Sequence, residues 1–156
     1  MGERYFYFVK SDVPEEFIFE VEEVKSLARR LESHIETHQV EIDALHVHGA
    51  QSKTIQDFFA TFFENELGFS QEVVMTPQDG LVSKARPDFF KRLSSNRGII
   101  AEVERGGTVS NNHDLKDLWK AHISPDTQHL FLIVPVSNWK PDGSIRENLF
   151  QSLLED

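Results

Sequence analysis

Apolar residues recur at helical spacing in three stretches of the chain. From Glu20 to Glu36, Val21, Val24, Leu27, Ala28, Leu31 and Ile35 make one stripe, and the acidic start suits the positive end of the helix dipole. From Gln51 to Leu67, Ile55, Phe58, Phe59, Phe62 and Phe63 make a heavier one, with Ser52 placed to cap its start and Gly68 to stop it. Such a stripe predicts a helix packed on a sheet. A third helix is expected from a cap at Asn111 or Asn112 to about His122, with Leu115, Leu118, Trp119 and Ile123 inward. On another side of it His113, Lys116 and Lys120 form a row that faces either phosphate or solvent.

Extended runs fill the intervals. Aromatic content predicts a strand at residues 4–9, and Val40 to Val47 reads as another. Phe69 to Thr76 is a third, closed by the turn signal Pro77-Gln78-Asp79-Gly80. Two short runs follow within Lys84–Thr108, and His129 to Val134 is the continuous apolar run of a strand covered on both faces. Beyond Asn138, Pro141-Asp142-Gly143 marks a turn before a short helix. From Gln51 the order is helix, three strands, helix, strand: an α/β chain with a mixed central sheet. At 156 residues a single domain is expected, its core at about 49–136, with residues 1–48 a strand-helix addition and 137–156 a tail.

The chemistry concentrates in Lys84–Thr108. Side chains alternate along a strand, so Glu102 and Glu104 share a face while Ile99, Ala101 and Val103 point into the core. Pro87 cannot donate to a ladder and marks a strand entry that aims Asp88 into a cleft. If the two runs pair across Ser95-Asn96-Arg97-Gly98, three carboxylates converge, in outline a site for a hard divalent cation. A second metal reading rests on His46 and His48, two apart on the expected strand near Asp43, which would suit zinc with a third ligand.

Pro87-Asp88, followed at a suitable interval by a strand ending in Glu102-Val103-Glu104, resembles the PD-(D/E)XK nuclease superfamily. The αβββαβ order over about residues 49–136 matches its restriction-endonuclease-like core. Glu104 stands where the motif has lysine, as in a minority branch of that superfamily. The resemblance implies magnesium- or manganese-dependent hydrolysis of DNA, with Asp88, Glu102 and the Val103 carbonyl holding the ion. Glu104 would act as general base or as ligand of a further ion. The glutamate that the family carries on the preceding helix best matches Gln56, and Lys53 beside it could supply the missing cation. The alternative is a non-catalytic copy that keeps the fold for binding DNA or protein.

Net charge is −10, which argues against a simple nucleic-acid binder. The bases are clustered, however: Lys84 to Arg105 holds six against three acids. Lys84, Arg86, Arg105, Asn111, Lys116 and Lys120 are the expected DNA contacts, with Arg105 and Arg86 also placed to offset charge on a phosphate. The absence of cysteine excludes disulfides, thiol nucleophiles and zinc-cysteine sites. No apolar run approaches membrane-spanning length, so a cytoplasmic protein without a membrane partner is the default expectation. The first long helix is assigned to scaffold or to a homodimer contact.

Overall fold

A computed structural model of the chain describes residues 5–72, 86–105, 113–140, 142 and 144–147. The backbone packs as two units, residues 1–39 and 40–156. In the first unit a short turn, Glu15–Phe17, leads into helix α1, Ile18–Thr37. Its buried residues, Val24, Leu27 and Leu31, are members of the expected stripe. Residues 5–10 carry no regular structure, although a strand was expected there. Aromatic composition favours a strand only when a neighbouring strand takes up its backbone groups, and instead Tyr7 donates its hydroxyl hydrogen to Glu32 of α1.

Helix α2, Gln39–Leu45, occupies what the alternation of Val40, Ile42 and Val47 suggested was a strand. A run this short fits both periods, and Val40 proves to be 83% exposed. Helix α3, Ser52–Phe62, begins one residue after its N-cap, Gln51; no side chain caps it, so Ser52 is its first residue and not its cap. It continues as a single wider turn, Phe63–Leu67, and ends at Gly68 in the left-handed region, φ 75°. There the Phe69 amide returns to the Phe63 carbonyl at 2.9 Å.

The sheet follows in the expected order. Strand β1 is Ser70–Gln71, β2 is Phe89–Ser94 and β3 is Arg97–Val103. Helix α4, His113–Ile123, then leads to β4, His129–Ile133. The strands lie in the order β1-β2-β3-β4. The first two pairings are antiparallel and β3–β4 is parallel, giving a mixed four-stranded sheet. A separate two-stranded ribbon joins β5, Asn138–Trp139, to β6, Ile145–Glu147, where a helix was expected. The turn at Pro77–Gly80 and the rest of the third expected strand lie outside the described residues.

The β2–β3 hairpin turns on Ser95-Asn96, with Asn96 at φ 60°, a conformation its short polar side chain tolerates. Gln128 ties this tip to β4, accepting from the Gly98 amide at 3.0 Å and donating to the Asn96 carbonyl at 3.2 Å. Each face of the sheet has its helix. On one, Phe63 stacks on Phe89 at 4.6 Å between centroids, with Phe69 against its edge and Phe131 beyond. On the other, Phe90 and Ile100 pack with Ala121, Ile123 and Leu130. Strand β3, between two neighbours and under two helices, is buried from Gly98 to Val103. A Cβ at Gly98 would lie 2.6 Å from the Phe90 ring and 2.8 Å from the Lys91 carbonyl oxygen. Gly98→Ala is therefore expected to lower stability by about 1 to 3 kcal/mol, read as a fall in the urea midpoint; an unchanged midpoint would contradict this packing.

Helix α4 departs most from expectation. Leu115, Leu118 and Trp119, expected to be inward, are 52, 59 and 59% exposed, whereas Asp117 is buried. The physical reason lies in the sheet beneath: strand β3 ends in a buried acid, Glu102, and the helix turns Lys120 toward it, which brings Asp117, one turn earlier, to the same face. Among the described residues no helix is long and apolar enough to cross a membrane.

Candidate functional site

The register of the hairpin creates the site. Phe89 pairs with Ala101, so the next pair outward is Asp88 with Glu102, and cross-strand partners share a face. The Val103 amide donates to Asp88 Oδ2 at 2.9 Å, and the Asp88 amide makes a longer contact, 3.4 Å, to Glu102 Oε2. Each carboxylate therefore holds backbone of the opposite strand. Pro87 is buried at the strand entry, as its missing donor allows, and the Glu72 amide reaches the Asp88 carbonyl at 2.9 Å. One residue past β3, the Glu104 amide donates to the Ile133 carbonyl at 2.8 Å, so the ladder continues and the alternation brings Glu104 to the face of Glu102.

Helix α4 completes the cluster from above. Lys120 Nζ donates to Glu102 Oε1 at 2.7 Å and lies 3.2 Å from Asp117 Oδ1, one turn earlier on the helix. Glu102 is 2% exposed and Asp117 3%. The Glu104 carboxyl lies against Asp117, close enough to share a proton with it. With both carboxyls ionised, no donor among the described residues reaches Asp117 Oδ2.

Four carboxyl groups thus surround a single ammonium. Burial pushes Glu102 up to about 8, even though Lys120 pulls it back. Burial, and then the neighbouring Asp117, push Glu104 to about 8 as well. Asp88 is raised by burial against the opposing pull of the Val103 amide and Lys120. Burial alone would lower Lys120, but Glu102 and Asp117 hold it above the ordinary lysine value. Without further positive charge the cluster retains protons well above the ordinary carboxylate range.

That has a consequence for folding. Glu102 and Glu104 bind protons more tightly in the folded chain than in the unfolded one, whose glutamates titrate near their ordinary value. The folded state therefore carries extra protons between about pH 4.5 and 8, and stability falls as pH rises through that window. In a chelating buffer the urea midpoint is expected to decline from pH 5 to pH 8; a midpoint that rises instead would contradict the cluster's buried charge.

Of the residues singled out in the sequence, Asp88, Glu102 and Glu104 come together. Lys53 does not join them: its side chain is 73% exposed and paired with Asp57 at 2.9 Å. Gln56 is half-buried on the same helix and makes no hydrogen bond to Asp88 or Glu102. Lys120, read as part of a phosphate-facing row, turns inward, while Lys116 remains exposed. Arg86 pairs with Glu72 at 2.9 Å, and Arg105 donates to the Val47 carbonyl at 2.9 Å. Lys84 and Asn111 lie outside the described residues.

Asp117 escaped notice because a lone acid on a helix reads as solvated. Its spacing of three from Lys120 was the available signal. The histidine reading loses its premise: residues 39–45 are helical, His46 Nε2 is engaged with the Ser137 carbonyl at 3.0 Å, and no strand aligns His46 with His48.

Comparison with protein-family models, with curated proteins and with solved structures finds no match. The chemistry must be argued from the cluster itself. Its donors are all hard oxygens, and its acids outnumber its base. This is a donor set suited to magnesium or manganese. As the side chains stand, no three His, Asp or Glu among the described residues are gathered for an ion. Lys120 occupies the position between Glu102 and Asp117.

Proposed function

We propose that the protein is a metal-dependent nuclease hydrolysing phosphodiester bonds of DNA, on the restriction-endonuclease-like plan that its sequence resembles. The observation that carries this reading is the cross-strand placement of Asp88 opposite the buried Glu102, with Lys120 bonded to Glu102 at 2.7 Å. Asp88, Glu102 and the Val103 carbonyl would hold the ion, with Glu104 beside them. Bound there, magnesium or manganese supplies Lewis-acid polarisation of the phosphoryl group and makes a coordinated water more acidic.

The chain's own groups supply the rest. Glu104 keeps proton affinity up to about pH 8, which suits it to take the proton of the attacking water. Lys120, rather than Lys53, brings the cation that the motif lacks at Glu104, and offsets negative charge gathering on the phosphate. Exposed Lys116, with Arg86 and Arg105, supplies positive charge for the DNA backbone, a contribution that weakens as salt rises. The test is incubation of plasmid, linear and branched DNA with magnesium or manganese, beside Glu102→Ala and a chelator control. Cleavage by the wild type alone, lost with chelator, is expected; no cleavage of any substrate with either ion would refute the reading.

A second reading, a non-catalytic module that binds DNA or protein, draws on a specific observation. Lys120 already answers the Glu102 charge, so the acids have a counter-ion within the fold. This reading expects DNA or protein binding that does not depend on divalent ions, and no calorimetric signal for magnesium or manganese.

A further inference from the structure

His34 lies in the last turn of α1, and His38, four residues on, is the C-cap of that helix. Residues at this interval share a face. Their rings lie side by side, with centroids 4.2 Å apart and planes inclined by 37°. Both residues are half-buried. The pair belongs to the first unit of the chain, whereas the carboxylate cluster belongs to the second.

The bonding around His38 decides which of its nitrogens carries the hydrogen. Its backbone amide and its Nδ1 both reach the His34 carbonyl, at 3.1 and 2.9 Å. A carbonyl oxygen only accepts, so Nδ1 is the donor, and in the neutral ring the lone pair then falls on Nε2. Metal-bound histidines are held in the same manner: the other ring nitrogen donates to a carbonyl or carboxylate, which fixes the tautomer and the ring direction. The backbone that ends the helix thus prepares His38 as a nitrogen ligand with a second imidazole beside it.

We propose that His34 and His38 form a two-histidine site for a transition dication of the zinc class at the C-terminal end of α1. Imidazole suits zinc, copper and nickel, whereas magnesium and manganese prefer oxygen, so the chemistry differs from that of the acid cluster. Two imidazole nitrogens at about 2.0–2.1 Å from a tetrahedral ion set the ring centres about 5 Å apart. The pair reaches that spacing by opening less than about 1 Å, a small rotation of the side chains. The last carbonyls of the helix carry partial negative charge and favour a cation there. Among the described residues no third His, Asp or Glu joins the pair, so water fills the remaining positions. An ion held by both rings would staple the last turn of α1.

The experiment titrates zinc into the full chain at about pH 7.5, where histidine rings are mostly neutral, with magnesium in excess to occupy oxygen donors. Calorimetry reads affinity, and copper(II) in parallel reads the ligands by electron paramagnetic resonance. A zinc ion and a copper spectrum with two imidazole nitrogens are expected on the wild type. Affinity should fall about a hundredfold in His34→Ala and in His38→Ala, because losing either ring ends the chelate. It should be unchanged in His46→Ala and His48→Ala. Zinc should also slow amide hydrogen exchange in the last turn of α1 in the wild type and in neither of the first two variants. Circular dichroism reports that the helix is kept, and His38→Gln, which retains a polar side chain at the C-cap, gives the answer if alanine loosens it. Unchanged zinc affinity in the folded His34 and His38 variants would overturn the proposal, as would a copper spectrum without two imidazole nitrogens.

Discussion

Asp88→Asn is expected to lower magnesium-dependent cleavage by about a thousandfold or more while the fold stays intact. The choice of asparagine follows from what Asp88 does in the structure. Its Oδ2 accepts from the Val103 amide at 2.9 Å, which joins the entry of β2 to the end of β3. Alanine would remove that acceptor and leave a buried backbone N–H unpaired, at about 1 to 3 kcal/mol, so lost activity could reflect a disturbed strand end. Asparagine retains an oxygen for Val103 and loses the negative charge that a cation needs. Removing ion-dependent stabilisation of several kcal/mol corresponds to three or more powers of ten in rate. Steady-state cleavage beside circular dichroism reads both parts, and full activity in Asp88→Asn would remove Asp88 from the site.

Lys120→Met is expected to be the most destabilising change at the cluster, about 3 to 5 kcal/mol at alkaline pH. Methionine keeps much of the length and apolar stem of lysine, so the loss is one of charge. Without the ammonium, Glu102, 3% exposed at its side chain, and Asp117, at 5%, are buried acids with no base. The penalty depends on pH. Glu102 and Glu104 hold protons below about 8, so at pH 5 less negative charge needs an answer and the loss should be smaller than at alkaline pH. Urea denaturation at pH 5 and pH 8.5 decides it. Equal losses at the two values would mean that Lys120 acts by packing alone.

The sequence was legible where a single signal dominated. The β2–β3 hairpin follows from a polar turn between two apolar runs, but its register does not: Arg97 and Gly98, read as part of the turn, belong to β3, and the turn closes on Ser95-Asn96. The Phe59 and Phe63 stripe could belong only to a helix on a sheet. Failures came where partners decide. Residues 5–10 have strand composition but no strand beside them, and the alternation of Val40 and Ile42 is too short to tell a strand from the helix it forms. Ile123 packs inward as expected, but the earlier turns of helix α4 were read inside out because periodicity assigns apolar residues to the interior, and nothing in its own eleven residues announces the buried acid on β3 that it covers. That inversion also hid Asp117 and gave Lys120 the wrong neighbours.

The hold of α4 on the sheet changes character along its length. Its last residues, Ala121 and Ile123, join the Phe90 and Ile100 cluster, while its earlier turns are fastened by Asp117 and Lys120 and turn Leu115, Leu118 and Trp119 outward. Protons and salt act on that ionic half and leave the apolar half untouched. Docking of the helix and protonation of the acids beneath it are thus linked through the same contacts.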